Sequence, residues 1–388
     1  MRLAFVVPWF PDGGGAEIQA RETVLRLREA GHDVEVLTSC ARSYFADWSV
    51  NAFPPGLERW RDVPVRRFPV LPVDRTLLRA LATWVERGGV LPPADEEALI
   101  AQLLRVPALP EWVAAHAADY DFFLFTPYLS AVAVFGVAAC PARAVLVPCL
   151  HDEPFAYLTP VRAMFRAAAG VLCFTEAERA LALALYDLDP DRVLVTGAGV
   201  DPPPAVAAGE VDGDGYLVAV GRREPGKNFP LLLEWFRAYR RRRADGFRLV
   251  LVGHDPIRPP LGDEPGIVDA GMLDEDAKAR TIATATALCQ LSVRESFSRV
   301  LMEGWRLGTP AIVHAGCAVT RLHCLESGGG IPVADAAEFG AAVDLLREQP
   351  AVRRALGGRG RAYVTRRYAW PVVVREIEAA LERLRGGH

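Results

Sequence analysis

The pattern that most constrains this chain is a strand, a loop, a helix and a second strand, and it occurs twice. Leu3 to Val7 is a continuous apolar run of the kind that lies buried on both faces of a parallel sheet. A loop rich in glycine and proline follows from Trp9 to Gly15. A helix over Ala16 to Ala30 carries Val24, Leu25 and Leu27 on one side, and Gly31 stops it. Val34 to Leu37 is the next strand, which completes a βαβ unit. The grammar restarts at Tyr216 to Val220, with a loop from Gly221 to Asn228. A helix from Phe229 to about Ala244 and a strand from Arg248 to Val252 follow, closed by Gly253.

Two such starts in one chain of 388 residues predict two doubly wound α/β domains, since about 150 residues make one domain. The stretch between them is rich in Pro, Ala, Gly and Asp and reads as a linker. The expected organisation is a first domain over 1–200, a linker over 201–215, a second domain over 216–368, and a C-terminal segment over 369–388 with an amphipathic helix. Residues 41–115 are less regular. They contain one amphipathic stretch, Asp74 to Glu86, with Leu77, Leu78, Leu81, Trp84 and Val85 on one face. Such a face either packs on the first domain or touches a lipid-linked or membrane-bound partner.

Hydrophobic residues make up 51% and charged residues 24%, as in a folded globular protein. A net charge of −4 gives no overall attraction to nucleic acid or to an anionic membrane. The seven cysteines (Cys40, Cys140, Cys149, Cys173, Cys289, Cys317 and Cys324) are odd in number and lack a C-x-x-C pair. They read as buried thiols of a cytoplasmic protein rather than a disulfide framework or a zinc site. The N-terminal apolar run ends at Pro8 without a small-residue cleavage site, and no run of about 18 apolar residues follows. The expectation is a soluble cytoplasmic protein that at most rests on the inner face of a membrane.

Four segments carry residues suited to chemistry. Gly13-Gly14-Gly15-Ala16-Glu17 stands where a strand hands over to a helix, and glycine there lets backbone amides approach an anion. Dinucleotide binding would instead call for G-x-G-x-x-G and an acidic residue ending the second strand, where this chain has Leu37-Thr38-Ser39. Gly221-Arg222-Arg223-Glu224-Pro225-Gly226-Lys227-Asn228 follows a strand and offers cations to a diphosphate at Arg222 and Lys227. In Glu295-Ser296-Phe297-Ser298-Arg299-Val300-Leu301-Met302-Glu303, a strand from Leu288 to Val293 leads into a helix from about Ser298 to Leu307. Glu295 falls in the loop, and Glu303 lies eight residues on, roughly on the same side. His151-Asp152-Glu153 follows an apolar strand, Val145 to Leu150; His254 and His314 also follow strands. Asp274-Glu275-Asp276 precedes a helix and reads as a cap rather than a metal site.

Taken in order, these segments resemble glycosyltransferase family 4, retaining enzymes of the GT-B fold. The resemblance also rests on Ala30-Gly31-His32-Asp33-Val34, Gly199-Val200-Asp201 and Gly308-Thr309-Pro310, so it spans essentially the whole chain. It implies two Rossmann-like domains facing a central cleft, acceptor domain first and nucleotide-sugar domain second, with the C-terminal helix crossing back to the first. By the family pattern Arg222 and Lys227 hold the donor diphosphate, Glu303 the ribose hydroxyls and Glu295 the transferred sugar. Amides near Phe297 and Ser298 assist, and His151 lies beside the donor sugar. The loop at Gly14 and Gly15 closes on the diphosphate, and Met272 and Leu273 frame the base. Where the family often has Glu-x-Phe-Gly, this chain has Ser298, and a left-handed backbone there costs serine more than glycine.

The implied activity is metal-independent transfer of a sugar, with retention, from a nucleoside diphosphate-sugar to an acceptor hydroxyl. The acceptor is a saccharide, a lipid-linked molecule or a natural product, with no cofactor and no nucleic-acid partner. Two other readings remain open at this point: a nucleotide-sugar epimerase of similar architecture, and a non-catalytic nucleotide-sugar-binding protein.

Overall fold

The computed structural model describes residues 1–203, 215–223, 225–243, 245–253 and 264–386. Most of the expected linker and His254 therefore lie outside the described residues. Two compact units divide the chain: Met1–Gly199 together with the stretch from Trp370 onward, and Val200–Ala369.

The first unit begins with β1 (Arg2–Val6), α1 (Gly15–Glu29), β2 (Asp33–Ser39), β3 (Gly56–Trp60) and β4 (Val63–Phe68). Three helices follow, α2 (Arg75–Glu86), α3 (Pro93–Gln102) and α4 (Ala108–Ala115), and then β5 (Phe122–Phe125) and α5 (Ala131–Ala139). The unit continues through β6 (Ala144–Leu146), α6 (Thr159–Ala167), β7 (Gly170–Cys173), α7 (Glu176–Tyr186) and β8 (Val193–Val195). Its eight strands run in the order β3-β4-β2-β1-β5-β6-β7-β8, parallel except for the antiparallel β3–β4 pair. That hairpin falls in the stretch the sequence left irregular. β3 is largely exposed and carries Glu58 and Arg59, charges that discourage edge-to-edge pairing.

The amphipathic stretch is α2, capped by the Asp74 carboxylate, which accepts the amides of Thr76 (3.0 Å) and Leu77 (2.9 Å). Leu78 and Leu81 pack against the core of the first unit, and Val85 is buried. Trp84 does not join them. It is 56% exposed, and its indole N–H donates to the Val90 carbonyl at 3.1 Å.

The second unit contains β9 (Tyr216–Val220), α8 (Phe229–Arg242), β10 (Arg248–Val252), β11 (Ile267–Gly271), α9 (Glu275–Ala283), β12 (Ala287–Gln290) and α10 (Arg299–Leu307). It ends with β13 (Ala311–His314), α11 (Ala318–Ser327), β14 (Gly330–Val333), α12 (Ala336–Glu348) and α13 (Pro350–Arg367). Six parallel strands run in the order β11-β10-β9-β12-β13-β14. The strand order therefore reverses between β9 and β12, and open α/β sheets bind ligands at the carboxyl ends of the strands at such a point. Leu217, Phe236, Phe247, Leu249, Leu251, Ile312 and Phe339 form the core that fixes it.

The C-terminal helix, α14 (Trp370–Gly386), belongs to the first unit. It buries Val373, Ile377, Leu381 and Leu384, and Glu378 accepts from His32 at 2.8 Å. No helix among the described residues is long and apolar enough to cross a membrane.

Candidate active site

In the second unit the loop after β9 starts at Gly221, and Gly221 and Gly253 both have φ of +146°. A Cβ at Gly253 would lie 2.1 Å from the Gly221 carbonyl oxygen, so the ends of β9 and β10 approach more closely than any side chain allows. The two arginines that follow have different surroundings. Arg223 forks onto Asp269 of β11, one arm at 2.8 Å, and its bonds hold the Asp269 carboxyl below its ordinary pKa. Arg222 stands half-buried at the start of the loop. Lys227 ends a single 3-10 turn just before Asn228 and α8.

The loop after β12 brings Glu295 to Lys227 across 68 residues of sequence: Lys227 Nζ donates to Glu295 Oε1 at 2.6 Å. β12 ends at Gln290, three residues earlier than the expected Val293, because its pairing with β13 stops at Gln290 opposite Val313. The Gln290 Nε2 also donates to Glu295 Oε1, at 2.7 Å, and the Ser298 hydroxyl donates to Gln290 Oε1 at 2.7 Å. Ser298 adopts the left-handed backbone expected of a glycine (φ 70°, ψ 73°) and precedes α10, whose first residue is Arg299. Phe297 is buried, edge-on to Tyr368 at 4.9 Å and to His323 at 5.8 Å, which anchors the loop from behind.

Glu303 does not pair with Glu295. It sits on α10 with Oε2 3.3 Å from Lys278 Nζ of α9, and the same ammonium is 2.8 Å from Glu275. Burial disfavours the charged Lys278, yet Glu303 and Glu275 outweigh that and raise its pKa. The two carboxylates that share one sequence segment thus each have their own lysine. Met272 is 70% exposed and Leu273 half-buried in the loop before α9, which Asp274 caps through the Ala277 amide at 2.7 Å. His314 stacks on Trp235 at 5.8 Å, and its Nδ1 accepts the Gly316 amide.

In the first unit the glycine loop opens α1. Gly14 is the N-cap, and its N–H donates to the buried Glu17 carboxylate at 2.8 Å. A Cβ at Gly13 would lie 2.5 Å from Glu17 Cβ, so this glycine makes room for the helix's own acidic side chain. The expected anion position at Gly14 is therefore engaged by Glu17, whereas among the described residues no atom beyond the glycine's own neighbours and helix backbone stands within 4 Å of where a Cβ on Gly15 would be.

His151 lies in a loop rather than at the end of a strand. β6 stops at Leu146, not Leu150, since Pro148 has no N–H to donate and its carbonyl accepts the Tyr128 amide at 2.9 Å. His151 Nδ1 is 3.8 Å from Glu153 Oε1, an oxygen that accepts the Tyr128 hydroxyl at 2.7 Å. Glu178 of α7 holds the backbone at Leu150, the residue before His151. Its two oxygens accept the amides of Leu150 and Phe174, each at 2.6 Å. Burial raises the Glu178 pKa to about 7, against the pull of the two amides and of His151.

Gln290, Lys278 and Glu178 are the residues that sequence reasoning missed. A glutamine closing the apolar run Ala287-Leu288-Cys289 was a readable signal for the first, and the capping-box spacing from Thr175 to Glu178 for the third. Lys278, exposed by its pattern on a short polar helix, gave none.

Comparison with known proteins agrees with this architecture. Residues 13–203 match the family model for Glycosyltransferase Family 4, and residues 214–349 match that for Glycosyl transferases group 1. A D-inositol 3-phosphate glycosyltransferase of Frankia alni is 28% identical over 402 residues, which cover 92% of this chain and 91% of the relative. HepE of Anabaena, solved in complex with UDP and glucose, superposes with a TM-score of 0.68 at 16% identity, over 98% of this chain and 99% of that one. Sucrose-phosphate synthase of Thermosynechococcus elongatus gives 0.72 at 18% identity over 100% of both chains. With both family models matched in chain order and both sheets doubly wound, this chain belongs to the family 4, group 1 glycosyltransferases and has the GT-B fold.

Proposed function

We propose that the protein transfers a sugar from a nucleoside diphosphate-sugar to an acceptor hydroxyl, with retention of configuration and without a metal ion. The observation that carries this reading is the contact of Lys227 with Glu295 where the strand order of the second unit reverses. It sets a cation suited to a diphosphate beside a carboxylate suited to sugar hydroxyls. The Lys227 ammonium has three N–H donors, of which Glu295 takes one.

In this reading Lys227 and Arg222 hold the diphosphate, together with the amides at Phe297 and Ser298 that open α10. As the bond from the anomeric carbon to the diphosphate oxygen lengthens, these groups stabilise the growing negative charge. Such fixed charges supply what a metal ion supplies in other transferases. The acceptor hydroxyl attacks the oxocarbenium-like carbon from the face the diphosphate leaves. Its proton passes to a phosphate oxygen, so the products are the glycoside and the nucleoside diphosphate. Glu295 holds hydroxyls of the transferred sugar, and His151 is the first unit's candidate for a sugar contact. Glu303 binds the ribose, with Lys278 as its resting partner. Met272, exposed, and Leu273 frame the base, and Gly15 is the open position of the glycine loop.

The acceptor is a saccharide, a lipid-linked molecule or a natural product. The relative's name adds D-inositol 3-phosphate to the candidates. We assign the reaction to the cytoplasm, with peripheral membrane contact when the acceptor is lipid-linked. A thermal-shift screen of nucleotide sugars identifies the donor, because a bound ligand raises apparent stability according to its affinity. Incubation with acceptors in EDTA should then give transfer, and NMR should show the donor's anomeric configuration in the product. An inverted product, or activity abolished by EDTA, refutes the mechanism. An epimer formed from donor alone, or binding with neither transfer nor slow hydrolysis, refutes the function.

A further inference from the structure

The Glu295 carboxylate is bonded unevenly. Oε1 receives both Lys227, from the loop after β9, and Gln290, from the end of β12. Among the described residues nothing donates to Oε2, although the side chain is only 8% exposed. Gln290 is itself 8% exposed and Ser298 is 5% exposed, so this part of the network is shielded from water. The orientation of the Gln290 amide follows from its neighbours. An ionised carboxylate only accepts, so the NH2 must face Glu295, which leaves the amide oxygen for the Ser298 hydroxyl.

We propose that Gln290 is a positioning residue that sets donor-sugar specificity by holding Glu295 so that Oε2 receives a hydroxyl of the transferred sugar. This rests on the nucleotide-sugar reading above and deepens it. When a donor binds, its diphosphate competes for the Lys227 ammonium. Gln290 is then the neutral anchor that keeps Oε1 in place, with no charge to be drawn towards the phosphates. A carboxylate fixed at one oxygen reads the position of a hydroxyl at the other, and hydrogen-bonded sites discriminate against a misplaced hydroxyl far better than apolar ones. Ser298 ties the same amide to the left-handed turn that starts α10. The turn thereby holds the far end of the Gln290 amide while its NH2 holds Glu295.

The test compares affinities for the free nucleoside diphosphate and for its sugar conjugates, the parent sugar and its hydroxyl epimers, by calorimetry on the intact protein. Gln290→Leu is one methylene shorter, keeps an apolar fork on a buried strand end and removes both bonds. It should weaken the nucleotide sugar ~10–100-fold, the equivalent of one hydrogen bond to a charged group. The free diphosphate should stay within about twofold, and the preference between epimers should shrink. Ser298→Gly suits the backbone and frees only the far end of the amide, so its loss should be smaller, about threefold, and again confined to the sugar. Should Gln290→Leu fail to fold, Gln290→Glu, which sets a second negative charge against Glu295, gives the same readout with a larger loss. Equal weakening of diphosphate and conjugate overturns the proposal, as does an unchanged ratio between them, and both leave the nucleotide-sugar reading intact. Wild-type protein that binds no nucleotide sugar more tightly than the matching diphosphate overturns that reading, and this proposal with it.

Discussion

Glu178 makes a pH-dependent contribution to the first unit that can be worked from its surroundings. It is 1% exposed, and burial raises its pKa from an ordinary 4.5 to about 7. The folded state therefore binds this proton more tightly than the unfolded chain does. Its stabilisation is fully present below about pH 4.5 and is lost as pH rises through about 7. A shift of that size corresponds to about 3 kcal/mol, at about 1.4 kcal/mol per unit. Glu178→Gln removes the titration. The variant also loses one of two amide bonds, because its NH2 group cannot accept, and that offset of about 1–3 kcal/mol does not vary with pH. The assay is thermal unfolding of wild type and variant from pH 4 to pH 8, taking their difference so that other titrating groups cancel. The wild-type advantage should shrink by roughly 6–12 °C across that range, at about 2–4 °C per kcal/mol for a unit of this size. A flat difference, or a wild-type advantage that grows with pH, would show that the two amides outweigh desolvation and that the carboxylate stays ionised throughout.

Other outcomes follow from the same kind of reasoning. His323 is buried in the second unit, and burial lowers its pKa from 6.5 to about 3. The unfolded state takes up that proton first, so stability should fall as pH drops below about 6.5, by up to about 5 kcal/mol. His323→Gln should flatten this acid limb in a thermal scan, and an equally steep limb in the variant counts against the assignment. At Ser298, Ala keeps the left-handed strain and loses the bond to Gln290, which should cost about 1–3 kcal/mol. Gly also removes the strain, about 1–2 kcal/mol, so Ser298→Gly should melt above Ser298→Ala; the reverse order would mean that the turn is not strained.

Much of the fold was legible because parallel strands buried on both faces read as short apolar runs, and glycines mark their exits. The stretches around Leu3, Val34, Tyr216 and Arg248 all became strands where the pattern set them. The β3–β4 hairpin was not legible, since an exposed, charged edge strand carries no apolar run. Trp84 was assigned to the apolar face of α2 on spacing alone, but a bond to the Val90 carbonyl turns it to solvent. At the candidate site, spacing suggested a pair of carboxylates, whereas folding gave each its own lysine from a distant element. Pairings such as Lys227 with Glu295 come from strand order, which local sequence does not encode. The left-handed turn at Ser298 could be anticipated from the usual glycine there. A glutamine closing the apolar run of β12 is also visible in the sequence, but its tie to Ser298 and Glu295 is not, because the contact depends on where β12 ends.

The central claim is that Lys227, beside Glu295 where the strand order reverses, stabilises a departing diphosphate. The most direct measurement is kcat/KM for the identified donor in wild type and Lys227→Ala, with the fold of each checked by its melting temperature. Removing one such charge contact should cost about 2–4 kcal/mol of barrier, a fall of roughly 30- to 1000-fold. Unchanged turnover in a folded Lys227→Ala protein would contradict the account.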